Sequence, residues 1–209
     1  HFEQLVQKFG IVHIVNLLAN KPGEYELSER YRNHIDASRN LKGNLGITDF
    51  DFHAEVASRG YSQANRIIPL LQEAFLEISF YSSNTRKPAE KTEQHGVFRT
   101  NCLDCLDRTN LVQQLISKEA LMMFFELYRI PPGQDIWAKH NFIWADNGDQ
   151  LSQIYAGTNA LKTSFTRSGK MGFAGALADV TKSVGRLYIN NFVDKSRQNT
   201  MDLLLGRTA

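Results

Sequence analysis

The run Ile11-Val12-His13-Ile14-Val15-Asn16-Leu17-Leu18 constrains the fold more than any other stretch of this chain. It is mostly apolar, rich in β-branched residues, of strand length, and stopped by Asn20-Lys21-Pro22-Gly23. A strand with so little alternation must be covered on both faces, which is the habit of parallel sheets flanked by helices. At eight residues, with His13 and Asn16 inside it, the run falls far short of a bilayer-spanning helix, which needs about 20. No other transmembrane segment and no signal peptide is visible.

The flanking sequence supplies the covering elements. Phe2, Leu5, Val6 and Phe9 have helical spacing, and Leu27, Tyr31 and Ile35 recur every fourth residue. Leu45 to His53, with its Phe50-Asp51-Phe52-His53, predicts a second, weaker strand. Ile67, Ile68, Leu71, Ala74, Phe75 and Ile78 predict one amphipathic helix, followed by a polar loop from Ser82 to Gln94. Gly96-Val97-Phe98 predicts a short strand that leads through Arg99-Thr100-Asn101-Cys102-Leu103-Asp104-Cys105-Leu106-Asp107-Arg108-Thr109-Asn110 into a helix. That helix has the apolar face Val112, Leu115, Ile116, Met123 and Leu127 and ends before Pro131-Pro132-Gly133. Phe173, Ala176, Leu177, Val180, Val184, Leu187, Tyr188 and Phe192 form a last stripe, and Met201, Leu204 and Leu205 suggest a final short helix. Tyr155 and the aromatics from Phe173 to Phe192 read as core. The expectation is an α/β fold, a sheet flanked by helices with a helical C-terminal third.

Composition sharpens the class. With 42% hydrophobic residues and 24 Lys+Arg against 22 Asp+Glu, the 209-residue chain is an ordinary globular sequence, which excludes disorder, collagen and coiled coil. The net charge of +2 hides an asymmetry, because Gly157 to the end carries four Lys and four Arg against three Asp and no Glu. The two cysteines, Cys102 and Cys105, lie three apart, so a secreted disulfide framework is excluded and a reducing, intracellular setting fits better. The chain opens on His1 with an amphipathic pattern already running, and is expected to be a piece of a longer protein.

Cys102 and Arg108 stand six residues apart on a loop that enters a helix. Loop N–H groups, a helix N-terminus and a fixed guanidinium would hold Cys102 as a thiolate, below the free value of about 8.5. The same positive field suits a phosphate dianion, since the planar fork of arginine matches two phosphate oxygens. Attack by the Cys102 sulfur on phosphorus would give a phosphocysteine, which water then hydrolyses. Thr109 would donate a hydrogen bond to the departing thiolate. The leaving alkoxide needs a proton, and both Asp104 and Asp107 are candidates.

The string from Arg99 to Asn110 resembles the signature of the Sac-domain phosphoinositide phosphatases. Val15-Asn16-Leu17-Leu18, Phe50-Asp51-Phe52-His53, Asn147-Gly148-Asp149, Tyr155-Ala156-Gly157-Thr158 and Asn190-Asn191-Phe192-Val193-Asp194 through Leu205-Gly206 agree, and within the family the chain is most similar to the Sac domain of synaptojanin-type proteins. The resemblance implies a cysteine-phosphatase-like sheet and a chain that is the C-terminal part of the catalytic subdomain (1–209), without the N-terminal subdomain and the start of the catalytic one. It further implies metal-independent, cofactor-free removal of phosphate from the inositol ring, with Cys102 as nucleophile and Arg108 as clamp. Asn101, Leu103, Cys105 and Leu106 complete the phosphate-binding loop. The family's substrates include the 3- and 4-monophosphates of phosphatidylinositol and the 3,5-bisphosphate.

Such an enzyme would be cytoplasmic and peripheral at the cytosolic face of membranes, with lipid headgroups and an anionic surface as partners and no nucleic acid. Lys162, Arg167 and Lys170 are the candidates for headgroup or membrane contact. Other readings are a phosphoinositide-binding or scaffold module without turnover, and a protein or soluble inositol phosphate phosphatase. Cys102-Leu103-Asp104-Cys105 is formally C-x-x-C, but zinc would need two further ligands and no second pair of suitable spacing exists. Cys105 reads as a packed small side chain, or more sharply as a thiol that resolves an oxidised Cys102. Asp51, His53 and His95 read as capping or structural groups.

Overall fold

In the computed structural model, which describes residues 1–38, 41, 43–85, 91–161, 198–199, 201–203 and 205–207, the chain forms two compact units, His1–Pro132 and Gly133–Ala209. The first runs α1 (Phe2–Phe9), β1 (Ile11–Asn16), α2 (Glu24–Ala37), β2 (Leu45–Asp49), α3 (Phe52–Arg59), a 3-10 segment (Tyr61–Arg66), α4 (Ile67–Leu70), α5 (Gln72–Ile78), β3 (Ser82–Ser83), β4 (Lys91–Thr92), β5 (Gly96–Asn101) and α6 (Asp107–Tyr128). The second contains α7 (Ile136–Ala156). The fold is α/β with a parallel sheet, as the apolar run requires.

β1 lies in the middle of the sheet order β2-β1-β5. It pairs in parallel with β2 from Val12↔Leu45 to Asn16↔Asp49, and with β5 from Ile11↔Gly96 to Asn16↔Asn101. Val12, Ile14 and Val15 are completely buried and join Leu17, Phe52, Ile67, Leu71, Phe75, Ile78 and Val112 in the core. Burying each such side chain contributes about 1.5–3 kcal/mol. Two glycines permit the close approach of strands and helix. Gly10, at φ +81, ends α1 where a Cβ would lie 2.6 Å from the His95 carbonyl oxygen, and a Cβ on Gly96 would strike the Ile11 carbonyl.

Four expectations are corrected. The second strand stops at Asp49, and Phe52 opens a helix. Phe50-Asp51-Phe52-His53 alternates like a strand, but Asp51 accepts the Ala54 N–H at 3.0 Å and so caps α3, while Phe50 and Phe52 are both buried. The helix expected over Ile67–Ile78 is broken at Leu71 into α4 and α5, where the Leu71 N–H turns to the Ile68 carbonyl at 3.0 Å; the buried face is nonetheless the predicted one. Leu127, placed on the apolar face of α6, is exposed. Tyr155, read as core, is 50% exposed, because the buried face of α7 consists of Ala145, Gly148, Ser152 and Ala156.

The Ser82–Gln94 loop contains the two-residue antiparallel ladder β3–β4. Residues 198–199 and 201–203 are helical. The stripe from Phe173 to Phe192 and Leu204 lie outside the described residues. Among the described residues, no helix is long and apolar enough to cross a membrane.

Gly96→Ala should destabilise the fold by about 1–3 kcal/mol, the usual cost of overpacking, read as a lower urea midpoint with an unchanged slope.

Candidate active site

The strands point their carboxyl ends at one edge of the sheet, the edge at which open α/β sheets bind ligands. In register there stand Asp49, Asn16 and Asn101. Asn16 Nδ2 donates to Asp49 Oδ1 at 2.8 Å and to Ser28 Oγ at 2.7 Å, and its Oδ1 accepts from Asn101 Nδ2 at 2.8 Å. This polar row ties α2 and all three strands together directly beneath the connections that leave them. One of these is the segment from Cys102 to Leu106, between the end of β5 and the start of α6. Strand, loop and helix therefore follow in the predicted order.

The loop folds around the Cys102 sulfur, which is buried. Cys102 Sγ accepts the Cys105 N–H at 3.1 Å and the Thr109 hydroxyl at 3.3 Å, and lies 3.3 Å from Asp104 Oδ1. Cys105 turns its N–H inward by taking φ +54, a left-handed conformation that costs an L-residue about 1–2 kcal/mol. Asp104 Oδ1 also accepts the Leu106 N–H at 3.1 Å, which braces the loop. Asp107 is the first residue of α6 and Arg108 the second. Leu103 is 62% exposed.

Two expectations about the thiols change here. Cys105 is exposed rather than packed, and its sulfur sits against Cys102, 3.5 Å from the Cys102 nitrogen and 3.3 Å from its carbonyl oxygen. The two thiols shift each other's pKa in opposite directions. Cys105 is lowered to about 5, chiefly by the hydrogen bond from the Cys102 side chain and against the effect of burial, with the Cys102 N–H and the Arg99 charge helping. Cys102 is correspondingly raised, first by that same contact and then by burial, against Thr109 and Arg108. The lowered pKa expected for Cys102 falls on Cys105 instead, because the two thiols are in contact and Cys102 is the more deeply buried.

Arg108 is 12% exposed, and its Nη1 donates to the Leu17 carbonyl at 3.2 Å and to Glu24 Oε2 at 3.0 Å. Glu24, at the start of α2, is buried; the same Oε2 accepts the Ala19 N–H at 2.8 Å, and Oε1 pairs with Lys21 Nζ at 3.2 Å. Burial opposes ionisation of Glu24, but the Ala19 N–H, Arg108 and Lys21 outweigh it and hold the carboxyl at about 2. Burial likewise acts against the Arg108 charge, and Glu24, Cys102 and Asp104 together raise its pKa. Asp51 Oδ2 accepts the Asn20 N–H at 2.7 Å, which joins the head of α3 to the β1–α2 turn. His53 is thereby brought within electrostatic reach of Arg108 and Lys21, and burial followed by those two cations lowers its pKa.

The site thus gathers Cys102, Asp104, Cys105, Leu106, Asp107, Arg108 and Thr109 on one loop and helix start, with Asn101 beneath. Asp51 is a cap, as read, and the His95 backbone bonds to Ile11 and Ile78. Lys162, Arg167 and Lys170 lie outside the described residues. Among the described residues no three His, Cys, Asp or Glu side chains are grouped to hold a metal ion. Glu24 and Lys21 escaped the sequence reading. A glutamate opening a helix reads as an exposed complement to the helix dipole, and nothing local signals its pairing with an arginine 84 residues away.

Residues 1–57 match the family model described as the SacI homology domain. Over 99% of its length the chain is 52% identical to the polyphosphatidylinositol phosphatase INP53 of Saccharomyces cerevisiae and 50% identical to the inositol-1,4,5-trisphosphate 5-phosphatase 1 of Schizosaccharomyces pombe, spanning 19% of each. It is also 36% identical to the phosphatidylinositol-3-phosphatase SAC1 of Saccharomyces cerevisiae, again over 99% of the chain and 35% of that protein. The chain is thus similar over nearly all of its length to phosphatases of this kind, and spans between about a fifth and about a third of the length of these relatives.

Proposed function

We propose that the chain is the C-terminal part of the catalytic subdomain of a phosphoinositide phosphatase that works through a phosphocysteine, without metal or cofactor, on a cysteine-phosphatase-like fold. The observation that carries this reading is the Cys102 sulfur held by the Cys105 N–H and the Thr109 hydroxyl within reach of the buried Arg108 charge. The likeness to a polyphosphatidylinositol phosphatase and a phosphatidylinositol-3-phosphatase supports the substrate class. The substrates proposed are the 3- and 4-monophosphates of phosphatidylinositol, with the 3,5-bisphosphate as a further one.

In this mechanism the Cys102 thiolate attacks phosphorus and the bond from phosphorus to the ring oxygen breaks. Arg108 and the loop N–H groups carry the charge on the equatorial oxygens. The leaving oxygen departs opposite the sulfur. Asp104, 3.3 Å from that sulfur and committed to the Leu106 N–H, suits the attacking side. Asp107 is therefore the group proposed to protonate the leaving alkoxide. Its carboxylate then takes a proton from the water that attacks the phosphocysteine, and Cys102 leaves as a thiolate stabilised by Thr109.

The runner-up is a phosphoinositide-binding module without turnover. Phosphate release from a panel of phosphoinositides in EDTA separates the two. Cys102→Ser should lower release by about three orders of magnitude or more, and Asp107→Asn by on the order of 10²–10⁴-fold, with recovery on substrates whose leaving group needs no proton. Release that survives Cys102→Ser ends the phosphocysteine proposal, and binding without release favours the module.

The contact between the two sulfurs supports a redox role for Cys105. Peroxide oxidises the Cys102 thiolate to a sulfenic acid with loss of hydroxide; Cys105 then attacks that sulfur, forms the disulfide and releases water. Mass spectrometry should find the 102–105 disulfide, with activity restored by dithiothreitol; sulfinic acid at Cys102 beside an untouched Cys105 refutes the role.

Membrane contact is proposed for Lys162, Arg167 and Lys170 on charge alone, each worth about 1 kcal/mol near an anionic leaflet. Reversing the three charges should weaken sedimentation with anionic liposomes and spare hydrolysis of a short-chain soluble substrate. Equal loss in both assays excludes a membrane role.

A further inference from the structure

Among the described residues, the Arg108 guanidinium uses two of its five hydrogens. Nη1 spends both of its hydrogens, one on the Leu17 carbonyl and one on Glu24 Oε2, and among the described residues no hydrogen bond engages Nε or Nη2. Both acceptors belong to the connection between β1 and α2, and both are themselves fixed. The Leu17 N–H donates to the Asn101 carbonyl at 2.9 Å, across to the strand that carries Cys102. Glu24 Oε2 is held by the Ala19 N–H at 2.8 Å.

From this geometry we infer that Glu24 is a positioning residue. It fixes the Nη1 end of Arg108, so that the opposite Nε–Nη2 edge is presented as a ready-made fork for two oxygens of a tetrahedral oxyanion held over Cys102. The arginine's charge is felt at both Cys102 and Asp104, which places it beside the loop. Lys21, on the other carboxylate oxygen, offsets the negative charge that Glu24 brings near an anionic ligand. The ligand half of this inference rests on the phosphatase reading; the locking of Arg108 does not.

Two substitutions separate reach from charge. Glu24→Gln keeps an oxygen at the Oε2 position and removes the charge. Glu24→Asp keeps the charge and withdraws the oxygen by one methylene. With arginine labelled by nitrogen-15, a locked Arg108 shows separate Nη1 and Nη2 resonances, whereas a freely turning one shows an averaged signal. The native protein and Glu24→Gln should show separate resonances and Glu24→Asp an averaged one. Affinity for inorganic phosphate and orthovanadate should fall on the order of 100-fold in Glu24→Asp, the scale of a 1 Å misplacement, with the smaller loss in Glu24→Gln. If Glu24→Asp does not fold, Glu24→Ala serves in its place with the same expected ranking. An averaged signal in the native protein overturns the inference, as does a Glu24→Asp protein that remains locked or binds oxyanion as well as Glu24→Gln. A locked native Arg108 in a protein that binds neither oxyanion leaves the positioning intact and removes the phosphatase reading instead.

Discussion

The hydrogen bonds of the Asn16 side chain are the constraint on which the site depends. Asn16 is 1% exposed at the carboxyl end of the central strand, where an unpaired amide would cost about 1–3 kcal/mol. It avoids that cost by bonding Asp49 on one neighbouring strand, Asn101 on the other and Ser28 on α2. Those bonds exist only in the observed register, since a one-residue slip turns a side chain to the opposite face. The same register sets Leu17 beside Asn101 and the β1–α2 turn beside the Cys102 loop. A polar residue in an apolar strand thus fixes where two loops, 85 residues apart in sequence at Asn16 and Asn101, meet in space.

Much of this could be read in advance, for identifiable reasons. β1 was legible because a strand buried on both faces has few polar residues, and α6 because its first turns repeat buried residues at helical spacing. Cys102, Arg108 and Thr109 were legible as a group because strand, loop and helix are contiguous, so that spacing alone brings them together. What failed was decided by single local groups or by distant ones. Asp51 ended a strand pattern by capping a helix, and a tight turn from Leu71 to the Ile68 carbonyl broke a helix whose apolar face was otherwise right. Glu24 depends on Arg108, 84 residues later, and no periodicity encodes such a pair. Lys162, Arg167 and Lys170 remain as the sequence left them.

The Glu24–Arg108 pair illustrates why a buried ion pair is better understood through orientation than through stability. Withdrawing two charges from water costs several kcal/mol per ion, and their attraction seldom returns more than that. Glu24 holds a folded pKa of about 2 against an unfolded value of about 4.3, so its contribution is present above the unfolded value and is lost as pH falls toward 2; it amounts to about 3 kcal/mol at most. Apolar side chains of the same volume would do comparably well at that position. They would not hold one nitrogen of a guanidinium while leaving its opposite edge for a ligand, and that asymmetry is what Glu24 Oε2 and the Leu17 carbonyl create together.

The thiol pair obeys the same logic at shorter range. Two sulfurs in contact cannot both ionise cheaply, so the first proton leaves easily and the second is retained. The sulfurs differ in their surroundings. Cys102 Sγ receives an N–H and a hydroxyl at 3.1 and 3.3 Å inside the loop, whereas Cys105 Sγ receives one N–H at 3.5 Å near the surface. Cys102 Sγ, the sulfur whose pKa is raised, is thus the one ringed by fixed dipoles, which lower the cost of ionising it. Within the phosphatase reading, Thr109 and Arg108, which act against the raised pKa of Cys102, are the groups that favour its thiolate when it attacks phosphorus.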